Sequence, residues 1–182
     1  MSGNWSDDVL DFWFKELRPI DWFAKSDELD AQITTRFQTT HKQLADNTSD
    51  CFLGSPKEAF AAIILFDQFS RNLFRGHRRS FASDPLALAI ARGMLGKGWD
   101  QEILREQRIF VYLPFEHSED MADQDTSVAL IEALGNEQFT RYAYAHRDVI
   151  IRFGRFPHRN AILGRKSTDE EEAYLAQPGS GF

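Results

Sequence analysis

Apolar residues recur along this chain at the three- and four-residue spacing of amphipathic helices, and no segment alternates apolar and polar residues as a strand would. In the first such segment Val9, Trp13 and Leu17 share one helix face, and Pro19 follows where the helix is expected to end. Further helices are predicted at about 26–46, from 55 onward, and at about 83–96, 100–113, 120–134, 139–153 and 170–176. The pattern therefore predicts an all-α protein of about seven or eight helices.

Residues that favour helix ends support these boundaries. Ser55 and Thr168 are each followed three residues later by a glutamate, which is the spacing of a capping box. Gly154 is expected to end the helix before it, because glycine readily adopts the left-handed conformation found after helices. Asp100 is expected to cap a helix that must stop before Pro114, because proline disrupts a helix interior.

The arrangement of these helices follows from the short loops between them. Short connections favour antiparallel hairpins of neighbouring helices, so a compact bundle of such hairpins is predicted. A length of 182 residues is most simply one domain. We therefore predict a single helical domain over 1–182, with a frayed tail at 177–182.

Charge and composition restrict the partners. The formal net charge of −7 means that the surface as a whole repels phosphate, so no nucleic-acid partner is expected. The single Cys51 excludes an intramolecular disulfide. The N-terminal residues are polar and acidic, and no apolar run is long enough to span a membrane. We therefore expect a cytoplasmic protein that does not contact membranes.

One short phrase occurs twice. Residues 69–76 read FSRNLFRG, and residues 156–165 read FPHRNAILGR. Each combines an aromatic residue, an Arg-Asn pair, apolar residues and a glycine directly after a predicted helix. This similarity indicates a duplication that places two related, arginine-rich corners in an acidic protein.

Four polar residues occupy positions where the helical spacing predicts burial. They are Asp67, Arg108, Gln124 and His146. An unpaired buried polar side chain costs about 1 to 3 kcal/mol, so each needs a partner or a function. We expect the four to gather in one polar core or cleft, and we expect Asp67 to be buried and paired with an arginine.

The densest candidate chemistry lies at Glu116, His117 and Glu119, with His146 as a second candidate base. A carboxylate beside an imidazole is suited to acid–base catalysis near neutral pH. Alternatively, residues 118–120 cap the following helix and favour its positive end. No HExxH pair or GxSxG turn occurs, so neither a metal, a cofactor nor a serine hydrolase is predicted.

The arginine-rich corners suggest anion binding, because planar guanidinium groups hold carboxylates and phosphates through paired hydrogen bonds. Alternatively, each arginine pairs with an acid of the same chain and only stabilises its corner. The residues expected to bind the ligand are Asp67, Gln68, Arg71, Asn72, Arg75, Arg108, Gln124, Arg155, His158, Arg159 and Asn160.

Three long motifs are similar to a known family. Residues 66–76 (FDQFSRNLFRG), 112–119 (YLPFEHSE) and 152–165 (RFGRFPHRNAILGR) resemble the bacterial "domain of unknown function 924" family, in this order. The resemblance implies an all-helical, tetratricopeptide-like fold, and it implies no reaction, substrate or cofactor. Ser70 stands where the family phrase usually has proline.

The leading hypothesis is a helical protein that binds a small anionic molecule or an acidic peptide end in a cleft lined by arginine, histidine and glutamate. One alternative is an enzyme of hydrolase or isomerase type that uses a His–carboxylate pair. Another is a scaffold that binds a partner helix, in which the polar motifs are structural.

Overall fold

The computed structural model describes residues 4–181, and all regular structure in this range is helical. The α-helices are α1 (Trp5–Asp11), α2 (Asp27–Leu44), α3 (Pro56–Ile63), α4 (Phe69–Leu73), α5 (Asp84–Gly96), α6 (Ile109–Glu116), α7 (Met121–Glu132), α8 (Glu137–Phe153), α9 (Asn160–Leu163) and α10 (Asp169–Leu175). Two π-helical turns, Phe12–Glu16 and Ile64–Gln68, continue α1 and α3. Short 3-10 turns lie at Pro19–Asp21, Ser49–Phe52, Arg78–Phe81, Trp99–Glu102 and Pro157–Arg159.

The predicted helix ends are confirmed where side chains or glycine define them. The Ser55 hydroxyl accepts a hydrogen bond from the Glu58 N–H at the start of α3. Thr168 and Glu171 form the expected capping box before α10. Gly154 has a φ of 67° directly after α8, so it ends that helix in the left-handed region.

The region before α6 corrects two predictions. Asp100 does not cap a long helix, since it lies inside the short 3-10 turn Trp99–Glu102. Its buried carboxylate accepts a hydrogen bond from the Tyr112 hydroxyl at 2.8 Å. The helix also does not end before Pro114, which lies inside α6. Proline has no N–H to donate to the Phe110 carbonyl, but its fixed φ is compatible with a helix, so α6 loses one hydrogen bond and continues.

The chain divides into two compact units. The described part of the first comprises residues 4–75 and 79–114, and that of the second comprises residues 76–78 and 115–181. The single domain over 1–182 stays a prediction. So does the frayed tail at 177–182, whose last residue, Phe182, lies outside the described range.

Aromatic side chains build the core of the first unit. The rings of Phe12, Trp13 and Phe37 surround Phe69, with ring centroids 4.8 to 5.9 Å from that of Phe69. Every residue of the π-helical turn Ile64–Gln68 is buried. The large number of phenylalanines in the sequence is thus explained in part by the packing of this core.

The second unit is centred on α7 and α8, which pack against each other. Val149, Ile150 and Phe156 form a buried apolar cluster. Met121, Phe153 and Tyr174 pack around it and connect α7, α8 and α10. Among residues 4–181, no helix has the length and apolar character needed to cross a membrane.

The positive φ at Gly154 leads to a stability prediction. Replacing Gly154 by alanine places a Cβ in the left-handed region and should lower the free energy of unfolding by about 1 kcal/mol. Gly96→Ala is the matched control, because Gly96 lacks a positive φ and an added Cβ there meets no atom within 4 Å. Urea denaturation of both variants tests this, and an equal effect of the two substitutions would contradict the strain argument.

Candidate functional site

The first arginine-rich corner is built on a buried carboxylate in the first unit. Asp67 lies in the π-helical turn Ile64–Gln68 and is fully buried. The Nη2 atom of Arg71, one turn later, lies 3.6 Å from Asp67 Oδ1. Gln68 Nε2 donates to Asp67 Oδ2 at 2.6 Å. The prediction that Asp67 is buried and paired with an arginine is confirmed.

Arg71 is held by a second carboxylate as well. Its Nη1 and Nη2 atoms donate to the two carboxylate oxygens of Asp84, at 2.6 and 3.1 Å. Burial alone disfavours the charge of Arg71, but Asp67 and Asp84 together raise its pKa above the ordinary value. Arg71 is therefore a permanently charged link between α4 and the start of α5.

Asn72 and Arg75, three residues apart in the first phrase, share one carboxylate. Asn72 Nδ2 and Arg75 Nη2 each donate to Asp30 Oδ1 at 2.8 Å, and Arg75 Nε also donates to Asp30. Burial raises the pKa of Asp30, but the hydrogen bonds from Arg75 and Asn72 outweigh it and lower the pKa overall. The pair thus attaches α4 to the first turn of α2.

Ser70, where the family phrase usually has proline, is buried in the same unit. Its Oγ lies 2.9 Å from His41 Nε2, and Ser83 Oγ lies 3.4 Å from the same nitrogen. Burial, followed by the charge of Arg79, lowers the pKa of His41 to about 4. This polar group helps to join α2, α4 and the start of α5.

Arg108 binds a different part of the first unit. Its Nη1 donates to Gln101 Oε1 at 2.8 Å, and its Nη2 donates to the Ile103 carbonyl at 3.0 Å. These bonds fix the irregular segment that precedes α6. Asp67 and Arg108 lie in the first unit, whereas Gln124 and His146 lie in the second. The expectation that these four residues gather in one polar site therefore stays a prediction.

In the second corner, in the second unit, an arginine and an asparagine also share one acid, but the arginine, Arg155, directly precedes the phrase 156–165. Arg155 donates to both carboxylate oxygens of Glu171, at 2.6 and 2.7 Å. Asn160 Nδ2 donates to Glu171 Oε2 at 3.3 Å. The hydrogen bonds from Arg155, together with the Thr168 N–H, lower the pKa of Glu171 to about 2. An Arg and an Asn again share one carboxylate, here from the first turn of α10.

Glu119, a candidate for catalysis, is a structural acceptor in this corner. Arg165 donates to its two oxygens at 2.7 and 3.0 Å, and the Phe156 N–H donates to Oε1 at 2.7 Å. Burial raises the pKa of Glu119, but these hydrogen bonds lower it overall. The neighbouring Asp120 caps α7 through the N–H groups of Ala122 and Asp123, which confirms the capping alternative for Asp120.

Three polar side chains, those of His146, His158 and Arg159, lie near the ring of Phe156. Glu116 and His117 lie beside His146, and we call these six residues the histidine–arginine cluster. The ring centroids of His146 and His158 each lie 5.6 Å from that of Phe156, and Arg159 Cζ lies 4.6 Å from it. The His117 ring lies 6.3 Å from the His146 ring. His146 Nδ1 is 3.4 Å from Glu116 Oε1 and 2.8 Å from the Tyr142 carbonyl oxygen.

Both His146 and His158 are predominantly neutral at pH 7. Burial lowers the pKa of His146 to about 3; the contact with the Tyr142 carbonyl opposes this shift, and positive charge at His117, Arg159 and His158 adds to it. Burial, then the charges of Arg159 and His117, lower the pKa of His158 to about 4. Burial therefore keeps both rings neutral, and neighbouring positive charge adds to this effect.

Gln124 forms hydrogen bonds with backbone carbonyl groups at the C-terminal end of α6. Its Nε2 donates to the carbonyls of Glu116 and Ser118, each at 2.7 Å. The Oε1 atom of Gln124 and the Oγ atom of Ser127 are buried and have no hydrogen-bond partner among residues 4–181. Ser127 was not predicted, although it lies three residues after Gln124 on the same helix face.

The acids Asp30, Asp84 and Glu171 were also not predicted as partners of the arginines. Their position in the first turns of predicted helices was the sequence feature that could have identified them as arginine partners. Within the described residues 4–181, no group of three His, Cys, Asp or Glu side chains is arranged to hold a metal ion.

These features define the class of the protein. It is all-α, with two arginine-rich corners held by carboxylates and one histidine–arginine cluster. The chain matches the model of the family described as "Bacterial protein of unknown function" (DUF924) over residues 9–179, and it belongs to that family. A solved structure of a protein of unknown function from Agrobacterium tumefaciens is similar to it, with a TM-score of 0.88 and 40% identity, covering 94% of this chain and 96% of that chain. No curated protein matches the chain. The resemblance found in the sequence is confirmed.

Asp67 provides a prediction for the first corner. Asp67→Asn removes a buried negative charge beside Arg71 and should lower the free energy of unfolding by about 1 to 3 kcal/mol. Asp125→Asn is the matched control, since Asp125 pairs with Arg147 but its side chain is 57% exposed, so a change below about 1 kcal/mol is expected. Chemical denaturation measures both, and an unchanged midpoint for Asp67→Asn would refute the structural role.

Glu171 provides a pH-dependent prediction for the second corner. Because its folded pKa of about 2 lies below the ordinary value of 4.5, its stabilisation is fully present above pH 4.5 and is lost as the pH falls through the folded pKa. Glu171→Gln should therefore cost about 2 kcal/mol at pH 7, and the difference from the wild type should shrink as the pH falls below 4.5.

Glu170→Gln is the control for this experiment. Glu170 pairs with Arg152, but its side chain is 63% exposed, so its loss should cost less than about 1 kcal/mol. Thermal denaturation between pH 7 and pH 2.5 measures both variants. A difference between Glu171→Gln and the wild type that stays constant down to the lowest pH would contradict the assignment.

Proposed function

We propose that the histidine–arginine cluster of the second unit binds a small anion, either a carboxylate- or phosphate-bearing molecule or an acidic peptide end. The observation that supports this most directly is the position of two imidazoles and one guanidinium near the Phe156 ring, with the imidazole of His117 beside that of His146. These groups are hydrogen-bond donors or become donors on protonation, which is the chemistry that recognises oxyanions.

The charges of the cluster support the same proposal. Burial is the main cause of the lowered pKa of both His146 and His158, and the positive charge of Arg159 adds to it. An anion bound here is attracted by Arg159, and its charge favours the protonated form of a neighbouring imidazole. Binding of the anion and protonation of His158 therefore favour each other.

The corner arginines have a different role in this proposal. Arg71, Arg75 and Arg155 each bind a carboxylate of their own unit. An external anion would have to displace these internal acids, whose replacement leaves buried charges behind. We therefore assign Arg71, Arg75 and Arg155 to holding the fold. We propose His117, His158 and Arg159 as the anion contact because of their position in the cluster around Phe156.

The contact between His146 and Glu116 supports a second candidate function, an enzyme of hydrolase or isomerase type. With Nδ1 directed at Glu116 and at the Tyr142 carbonyl, the other ring nitrogen, Nε2, is the atom suited to proton transfer. A pKa of about 3 makes His146 a weak base at pH 7, and this ranks catalysis behind binding. In the catalytic case, His146→Gln abolishes turnover while anion affinity is retained.

Two further proposals concern the arrangement of the helices and the cellular location of the protein. We propose that its helices are arranged as tetratricopeptide-like antiparallel hairpins, which is supported by the packing of α7 on α8 across a short loop. We also propose a cytoplasmic location, which is supported by the single cysteine and the acidic composition.

The experiment that tests anion binding uses malonate as the probe. Titration followed by NMR at constant ionic strength should shift the ring signals of His117 and His158, and the affinity should increase as the pH falls from 7 to 5. Arg159→Gln should weaken binding about tenfold, the loss expected for one hydrogen bond to a charged group.

Arg147→Gln is the matched control, because Arg147 lies on α8 in an exposed ion pair with Asp125. His158→Gln is the second test variant, because Arg159 is buried and its replacement can affect folding. Equal affinities of the Arg159→Gln and Arg147→Gln proteins, or an affinity that increases with pH, would disprove the proposal.

A further inference from the structure

A separate cavity of about 460 Å³ lies in the first unit. It is formed by residues from the π-helical turn Phe12–Glu16, from the first residues of α3 and from the irregular segment before α6. Its size falls in the range of about 300 to 1,000 Å³ typical of small-molecule sites. None of the residues that line it belongs to the histidine–arginine cluster.

The wall of this cavity is apolar and partly uncovered. Phe14 stacks on Phe60, with ring centroids 5.4 Å apart and an interplanar angle of 17°. Leu104, which also lines the cavity, is 59% exposed although it is a large apolar residue. A ligand that covers Phe14 and Leu104 removes apolar surface from water, which favours binding of an apolar body.

The charged residues at the rim determine whether a cationic or an anionic ligand is favoured. Lys15 Nζ lies 2.6 Å from Asp11, and Lys57 Nζ forms an ion pair with Asp7. Glu102 also lines the cavity, and it forms no hydrogen bond or ion pair through its side chain with any residue of the range 4–181. The rim therefore has two ammonium groups, both paired, and one unmatched carboxylate.

We propose that this cavity binds a primary amine with an apolar body, whose ammonium group pairs with Glu102 while the body packs on Phe14 and Leu104. An anionic ligand is disfavoured here, because it would meet the Glu102 carboxylate and would have to separate a lysine from its partner. A neutral ligand gains the apolar contact and lacks the ion pair. The cavity thus takes a cationic amphiphile, in contrast to the anion proposed for the second unit.

The proposal is tested with three probes of equal chain length, octylamine, octanol and octanoate, each below its aggregation concentration. Titrations by NMR or calorimetry at pH 7 should rank the affinities in that order. Glu102→Gln should weaken octylamine binding about threefold, as expected for a partly exposed ion pair, and should leave octanol binding unchanged. Leu104→Ser should weaken the binding of both octylamine and octanol about tenfold.

The matched controls are two exposed residues of the first unit that do not line the cavity. Glu106→Gln removes an exposed carboxylate that does not line the cavity, and Ile20→Ser removes an apolar side chain that is 74% exposed and also lies outside it. Neither control should change the affinity for octylamine. All four substituted residues are exposed, so thermal denaturation should confirm that the variants remain folded.

Two results would overturn the proposal. Octanoate that binds as tightly as octylamine would show that Glu102 does not select the charge of the ligand. An equal effect of Glu106→Gln and Glu102→Gln, or of Ile20→Ser and Leu104→Ser, would show general surface adsorption in place of binding in the cavity.

Discussion

Each Arg-Asn corner of this protein depends on one carboxylate that an arginine and an asparagine share. In the first unit Asp30 accepts from Asn72 and Arg75, and in the second Glu171 accepts from Arg155 and Asn160. A partly buried carboxylate loses hydration, and it is stable there only if hydrogen bonds replace the lost water. The shared acid thus fixes the position of the corner relative to another helix. The asparagine belongs to the repeated phrase in both corners, whereas the arginine follows it by three residues in the first and precedes it by five in the second.

These arginine–carboxylate contacts change which residues can be considered for ligand binding. A local excess of arginine over nearby acids suggested free positive charge, but some of the acids that neutralise these arginines come from distant positions in the chain. Asp30 precedes Arg75 by 45 residues, and Glu119 precedes Arg165 by 46 residues. The number of arginines in a motif is therefore no measure of free positive charge, and the proposed anion site uses His117, His158 and Arg159.

Local rules of the backbone predicted the fold well, and long-range pairing limited the prediction of the site. The caps at Ser55 and Thr168 and the left-handed Gly154 depend only on neighbouring residues, so the sequence reveals them. Asp67 was also predictable, because a carboxylate at an apolar helix position needs a positive partner, and Arg71 lies one turn away. Pro114 inside α6 and the irregular segment held by Arg108 were not predictable, because tertiary contacts outweigh the local preferences there.

The two proposed sites have opposite charge preferences within one acidic protein, and screening explains how both can coexist. At physiological ionic strength charges interact over about 8 Å, so a ligand responds to the groups around its own site more than to the net charge of −7. In the cluster around Phe156, Arg159 is the proposed source of positive charge, and the nearby Glu119 is paired with Arg165. Around Phe14 the two lysines are paired, and Glu102 has no side-chain partner among residues 4–181. The net charge therefore argues against partners with extended phosphate surfaces, while in both proposals the sign of the small ligand is set by the charged groups nearest to it.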